Sequence, residues 1–440
     1  MSNRWPNEKA ISKVGNAAAG EKRDIFPTLG GFGSSDAGDA GNGTGVTDAV
    51  QGDGNRWSGR HHGELLTVLS TLATAIKTWG RELGFQRLGI SDVDLGVAEA
   101  RLLDWLAAGL HGAMSYMVRH GVRRSRPAEL VPGTVRVITA RMDYGPPDAA
   151  EPWSVLRRPE LGYVSRYALG RDYHKVLRQR LQRLADRIAA AVGPFGHRVF
   201  VDSAPVLEKA LAAKAGLGWI GKHSNLLDRQ AGSWFFLGEI YVDLPLPVDQ
   251  PTTAHCGRCT ACLDLCPTQA IVAPYQVDAR RCISYHTIEL QGPIPLEFRR
   301  AIGNRIYGCD DCQLVCPWNR FARPTVEPDF RARHGLDAPG LVEVFGWDEA
   351  EFLRRTEGSA IRRIGHERWL RNIAVALGNA TGTPATVTAL RERSTHPSAL
   401  VREHVAWALV ALTTARPASP PTCESTAAGP APATAGVPRP

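Results

Sequence analysis

Seven cysteines in two tight runs, with an eighth between them, constrain this 440-residue chain more than any other feature. The first run, His255-Cys-Gly-Arg-Cys-Thr-Ala-Cys-Leu-Asp-Leu-Cys-Pro267, has the spacing C-x2-C-x2-C-x3-C-P and supplies Cys256, Cys259, Cys262 and Cys266. This is the ligand pattern of bacterial two-cluster ferredoxins. The second run is shorter: Cys309, Cys312 and Cys316 follow C-x2-C-x3-C, and Cys282 supplies the missing ligand from 27 residues before Cys309. Two-residue gaps let one loop wrap a cluster with three thiolates, while the distal cysteine is carried on to the other cluster. Crossed ligation follows. Cys256, Cys259, Cys262 and Cys316 hold one [4Fe-4S] cluster, and Cys266, Cys282, Cys309 and Cys312 hold the second. Zinc sites favour paired C-x2-C knuckles, so two iron–sulfur clusters are expected, which points to a reducing, cytoplasmic setting. The insert 283–308 is left free to cover a cofactor.

The flanking sequence divides the chain. Residues 28–54 hold nine Gly in 27 positions with no Lys or Arg, so 1–62 is read as a disordered extension. A Pro/Ala-rich tail over 413–440 contains Cys423, which is set aside from the ligand count. Between them, 63–250 alternates helices and strands. Leu65, Leu69, Leu72, Ile76, Trp79 and Leu83 recur at helical steps, 171–192 is a long amphipathic helix, and 136–140, 198–201 and 234–242 read as strands. Alternation implies an α/β layer architecture. Residues 251–325 form the ferredoxin-type domain. Residues 326–412 are helical, and the match of Asn372–Leu377 with His404–Leu409 at an offset of 32 suggests HEAT-like pairs or, equally, two ordinary amphipathic helices. No apolar run reaches about 18 residues, so no spanning helix is expected. The N-terminal sequence has neither an apolar core nor a twin-Arg pair, so no export signal is expected. The net charge of +8 permits a nucleic-acid partner without requiring one.

Clusters move single electrons, so residues ahead of them are candidates for using those electrons. Asp202 ends the strand Val199-Phe200-Val201, where α/β sites form. Apolar neighbours there would raise its pKa and make it a proton donor. From spacing alone, Asp202 or Ser203 serves equally as the cap of a helix over 205–215. Gly216, Gly218 and Gly221 form a turn that lets backbone approach a ligand, though not a dinucleotide fingerprint. Three of the eight lysines, Lys209, Lys214 and Lys222, cluster here. They suit phosphate or substrate contact, or a solvated helix face.

Taken together, DSAPVLEKALAAKAGLGWIGKHSNLL, SRYALGRDYHKVLR, RCISYHTIE and YGCDDCQLVCPWN resemble the epoxyqueuosine reductase family, in register from about Leu65 to Arg323. The resemblance implies a Rossmann/nitroreductase-like α/β core holding a base-off cobalamin beside the clusters. The absence of D-x-H-x-x-G agrees with base-off binding: Asp172-Tyr-His-Lys-Val-Leu177 starts that motif and ends in Leu. It also implies Asp202 as the general acid and Arg124, Tyr167, Asp202, His223, Ser224, Asn225 and Ser284 as cobalamin contacts. Asp143-Tyr144 stands where the family commonly has Asn-Tyr.

The implied reaction is the two-electron reduction of the epoxide of epoxyqueuosine to queuosine at the tRNA wobble position, the last step of queuosine biosynthesis. Cob(I)alamin would be fed through the clusters by an external low-potential donor. Lys209, Lys222, Arg178 and the arginines of 119–126 are candidates for tRNA phosphates, and a monomer without membrane attachment is expected. The alternatives are a cobalamin-dependent reductive dehalogenase-like enzyme, a two-cluster electron carrier without its own catalysis, and a nucleic-acid-binding protein with structural clusters.

Overall fold

Runs rich in Val, Ile and Phe form the four strands of the central sheet: β1 (Arg87–Ser91), β2 (Arg136–Asp143), β3 (His197–Phe200) and β4 (Phe235–Val242). The computed structural model describes residues 54–414, with side chains from 63 onward. The expected extension up to 53 and the tail from 415, with Cys423, lie outside the described residues. The chain divides after Trp57, and the elements named below belong to the unit that begins at Ser58, apart from the first turn of α1. Helix α1 runs over Gly54–Glu82, so the expected start at 63 falls inside a helix.

The strand order is β1-β2-β4-β3. β4 pairs with β2 along its whole length, from Arg136↔Val242 to Asp143↔Phe235, and every pairing in the sheet is antiparallel. One face carries Ile138, Ala140, Met142, Phe236 and Ile240 against Leu72 and Ile76 of α1 and Val176, Leu177, Leu181, Leu184 and Ile188 of α2 (Tyr173–Val192). The other face sets Val137, Phe200 and Tyr241 against Leu211 of α3 (Glu208–Lys214). Layered α/β packing is thus present, and helices cover both faces.

The Rossmann-like sense of the sheet is not. Alternating strands and helices produce a parallel sheet only when one crossover helix returns each strand to the same end. Between β1 and β2 the chain instead makes the helix Gly96–Ala107 and three further short helical turns, and β2 returns reversed.

Two contacts tie the cysteine-rich segment to this layer. Arg305–Tyr307 pairs in parallel with Tyr163–Val164. The buried Asp310 carboxylate accepts from Tyr163 Oη (2.8 Å), Ser165 Oγ (2.6 Å) and the Arg166 amide (2.8 Å).

The two matched stretches of the C-terminal region lie in α4 (Gly365–Gly378) and α5 (Ala399–Thr413), which pack together. Gly378 is needed there, because a Cβ would stand 2.5 Å from the Trp407 ring and 2.9 Å from Ala408 Cα. One apolar core runs from Val164 through Ile306 and Tyr307 to Trp369 and Ala408, so the helical region is continuous with the segment before it.

α4 also grips the insert. Arg371 donates to the carbonyls of His286 (2.6 Å), Leu290 (2.6 Å) and Gly292 (2.8 Å). Asn372 Nδ2 donates to those of Thr287 (2.8 Å) and Ile306 (2.9 Å). Among the described residues no helix is long and apolar enough to cross a membrane.

Candidate functional site

The fold gathers the eight thiols into two groups of four. Burial pushes the Cys262 thiol up to about 11, and the nearby thiols of Cys316, Cys256 and Cys259 push it further. Burial likewise raises Cys282, with Cys266 beside it, and raises Cys312 well above a free thiol, with Cys282 and Cys266 beside it. Cys309 rises through burial, Asp311 and Cys282. These are the two sets expected from spacing. Thiols raised in this way need a metal to ionise them at neutral pH.

Cys256, Cys259, Cys262 and Cys316 line one cavity of about 260 Å³ with Lys222, His223, His255 and Trp318. His223 Nδ1 accepts from the Asn225 amide (3.1 Å), which leaves the proton on Nε2. That buried Nε2 has no partner among the described residues. An unpaired buried donor costs about 1–3 kcal/mol, and the sulfides of an iron–sulfur cluster would supply its acceptor. Burial also pushes the His223 imidazole down to about 4, so it is neutral. At the second group, the Ser284 hydroxyl donates to the Cys309 carbonyl (3.5 Å), and the Ser284 and Tyr285 amides pull the Cys282 thiol down against burial. Both donor sets fit the clusters.

Asp202 follows β3 by two residues and holds φ at +43°, a left-handed conformation that strains a non-glycine residue by about 1–3 kcal/mol. It is not a helix cap: α3 begins at Glu208 with Leu207 in the cap position. Tyr173 Oη donates to Asp202 Oδ2. His174 Nε2 lies 3.2 Å from the same oxygen, at ion-pair distance.

The raised pKa expected of Asp202 does not hold in this structure. Burial pushes the carboxyl up, but His174 and Tyr173 more than offset it and leave the group below the ordinary carboxylate range. Protein surrounds Asp202, yet its side chain keeps 48% of its exposure because it opens into a cavity. His174 is held in turn by Asp172, whose Oδ1 lies 2.9 Å from Nδ1 and whose Oδ2 accepts from Arg363 Nη2 (2.6 Å). Asp172 also caps α2 through the His174 amide.

That cavity, of about 230 Å³, is lined by Tyr144, Tyr167, Tyr173, Asp202, Glu208, Lys209, Asn225, Ser233, Phe235, Phe236 and Gln313, with Leu226 and Leu237. Gln313 follows Cys312, so the cavity wall adjoins the second thiol group. The lining has no imidazole, thiol or thioether.

Of the expected cobalamin contacts, Tyr167, Asp202 and Asn225 therefore meet in one cavity. Ser224 borders it, its carbonyl accepting from Lys209 Nζ at 3.1 Å. Arg124 donates to the Tyr116 carbonyl (2.8 Å), and the charge of Asp202 is felt at Tyr116. His223 and Ser284 belong instead to the two thiol groups.

The lysines expected at tRNA are engaged within the chain. Lys209 Nζ donates to the Ser224 carbonyl and to Asn225 Oδ1 (3.0 Å). Lys222 Nζ donates to the carbonyls of Gly257 (2.8 Å) and Cys259 (2.9 Å), bracing the first cysteine loop. The glycine turn also faces inward: a Cβ on Gly216 would stand 2.4 Å from the Gln250 carbonyl oxygen, and one on Gly218 2.1 Å from that of Leu227.

Sequence reasoning missed Tyr173, His174, Glu208 and Glu239 as site residues. Glu239 carried a signal, as the single charge in the otherwise apolar strand FFLGEIYV.

Two four-thiol groups joined to an acid-bearing cavity on a helix-covered sheet define an iron–sulfur oxidoreductase. Residues 124–203 match the family "Epoxyqueuosine reductase QueG, DUF1730", and residues 255–319 match a 4Fe-4S double cluster binding domain. The epoxyqueuosine reductase of Xanthomonas campestris pv. campestris is 66% identical over 337 residues, covering 77% of this chain and 95% of that protein. The Escherichia coli K12 enzyme is 61% identical over 342 residues, covering 78% and 89%. A crystal structure of epoxyqueuosine reductase with an epoxyqueuosine-modified tRNA-Tyr stem loop superposes with a TM-score of 0.73 at 28% identity, over 78% of this chain and 91% of that one. The Bacillus subtilis enzyme, with an aspartate catalytic loop swung out of its active site, gives 0.70 at 28% identity over the same shares. The chain belongs to the epoxyqueuosine reductase family.

Proposed function

We infer that this chain is an epoxyqueuosine reductase in which Asp202 protonates the leaving epoxide oxygen. The observation that carries this reading is the placement of Asp202. It is held by Tyr173 and His174 in a cavity whose lining includes Gln313, the residue after Cys312 of the second thiol group. The net reaction takes two electrons and two protons, breaks both C–O bonds of the epoxide, forms the ring alkene and releases water. Family membership places the chain with this enzyme rather than with a carrier of electrons alone.

Base-off cobalamin fits the lining. Tyr144, Phe235 and Phe236 offer aromatic faces, Tyr167, Asn225 and Gln313 offer polar groups, and the lining has no imidazole to act as a cobalt ligand. When bound, it would supply a strongly reducing, nucleophilic cobalt. The chain's own residues then orient the substrate and control the proton. Tyr173 and His174 hold the carboxylate of Asp202 toward the cavity, and Asp172 with Arg363 fixes the His174 ring. His223, Ser284 and the cysteine-loop amides would hold the clusters and stabilise their reduced form by donating to sulfur.

A tRNA anticodon stem loop is the substrate that the related complex supports. The exposed Arg119, Arg123 and Arg178 are available to its phosphates, whereas Arg126 is paired with Glu99 and Glu129. The helical pairs beyond 326 are HEAT-like and extend this surface.

The test is turnover of an epoxyqueuosine-containing stem loop, read by nucleoside mass spectrometry. Asp202→Asn should lower kcat by about 10²–10⁴-fold, the range for a positioned general acid, with iron content and corrinoid absorbance unchanged. Activity within threefold of wild type would remove Asp202 from the reaction. A loaded wild-type enzyme that leaves the epoxide intact would refute the function itself.

A further inference from the structure

Two protons are consumed per turnover, yet Asp202 carries one at most, and His174 and Tyr173 hold its carboxyl in the ionised form. A second acid stands beside it. Glu208, the first residue of α3, lines the same cavity and accepts a hydrogen bond from the backbone amide of Asp202. Below it, in the middle of β4, lies Glu239, wholly buried, with neither carboxylate oxygen partnered among the described residues. Asp202 and Glu208 therefore line the cavity together, and Glu239 lies close enough to feel the charge of both. No bound group assigned above needs Glu208 or Glu239.

We propose that Glu208 supplies the protons of the reduction to the Asp202 carboxylate, which passes them to the leaving oxygen. The step conserves charge and atoms. The Glu208 carboxyl proton moves to the Asp202 carboxylate, and Asp202 gives it to the epoxide oxygen as the first C–O bond breaks. Solvent reprotonates Glu208. A second proton then follows the same path to the resulting hydroxyl, which leaves as water when the second C–O bond breaks, and solvent reprotonates Glu208 again. The two electrons come from the external low-potential donor of the reductase reaction.

The surroundings favour a proton on Glu208. Burial, together with the neighbouring Asp202, pushes its carboxyl up to about 8 against the pull of Lys209 on α3 and His174 on α2. Tyr173 also faces it from α2, and burial holds that phenol neutral. Glu239 faces it from β4, where burial and the nearby Glu208 and Asp202 keep it uncharged. A donor whose pKa lies near the working pH can both give up and regain a proton within a turnover.

This inference rests on Asp202 being the acid, and its test separates the two. Glu208→Gln keeps an oxygen for the Asp202 amide but has no acidic proton. It should lower kcat by about 10- to 100-fold and abolish the alkaline limb near pH 8, with iron content unchanged. Glu208→Asp should restore part of the rate and move that limb. Infrared spectra of the wild-type enzyme should show a protonated-carboxyl band that titrates near pH 8 and shifts in Glu208→Asp, whether or not Glu208→Gln folds. An unaltered alkaline limb in Glu208→Gln, or no carboxyl band titrating near pH 8, would overturn the proposal even if Asp202→Asn is inactive.

Discussion

Asn372 offers a direct measure of how the helical region supports the clusters. Its amide reaches from α4 to the carbonyls of Thr287 and Ile306, and its Oδ1 accepts from Arg371 Nη2 (2.9 Å). Leu has nearly the same branched shape, so Asn372→Leu removes the hydrogen bonds while leaving little cavity. Two buried carbonyls are then stranded at roughly 1–3 kcal/mol each, about 4 kcal/mol in all. That raises the opening equilibrium of the insert about a thousandfold, at 1.4 kcal/mol per decade. Hydrogen exchange read by mass spectrometry should show the loss of protection over 283–308 and 365–378 and not over β2 and β4. Cys282 and Cys309 flank the insert, so purified protein should lose iron toward half of its full content. Exchange within threefold of wild type over 283–308, or a uniform loss that includes the sheet, would refute the idea that α4 clamps this segment.

His404 should make the same region sensitive to acid. Its Nε2 accepts from the Ile294 amide (3.1 Å) while Nδ1 lies 2.8 Å from the Leu400 carbonyl oxygen, so both nitrogens are used only by the neutral ring. Burial lowers its pKa from 6.5 to about 3. The unfolded chain therefore binds the proton first: stability is full above pH 6.5 and falls as the pH drops from 6.5 toward 3. At pH 5 the loss is about 2 kcal/mol relative to neutral pH. Unfolding of wild type compared with His404→Gln at both pH values checks the difference. Gly218→Ala should cost about 3 kcal/mol or more, because its Cβ would meet the Leu227 carbonyl oxygen at 2.1 Å. Gly292→Ala, with nothing within 4 Å, is the control; equal melting temperatures for the two variants would contradict the packing argument.

The double-cluster character of the cysteine-rich segment was legible in the sequence because the cysteine spacing is local and chemically specific. Asp202 was legible as the residue closing an apolar strand. Its charge state was not, because Tyr173 and His174 approach it from a helix about 28 residues earlier in the chain, and no local pattern encodes that contact. The direction of the sheet was equally hidden, since the hydrophobic runs mark strands without marking their sense. Lys209 and Lys222 show a further limit: a cluster of rare lysines suggested an external anion, whereas each ammonium group completes the hydrogen bonding of loop carbonyls.

The way the thiols are shared between the two groups bears on how the protein matures. The first set takes three members from one loop and its last, Cys316, from 54 residues beyond Cys262. The second set draws Cys266 from that same early loop. Each set is thus threaded through the other, and neither can be completed while the ribosome still shields Cys316 and Cys312. Metal loading is therefore a late, joint event, and a nascent chain halted before Cys309 would offer a scaffold protein only partial coordination at both positions.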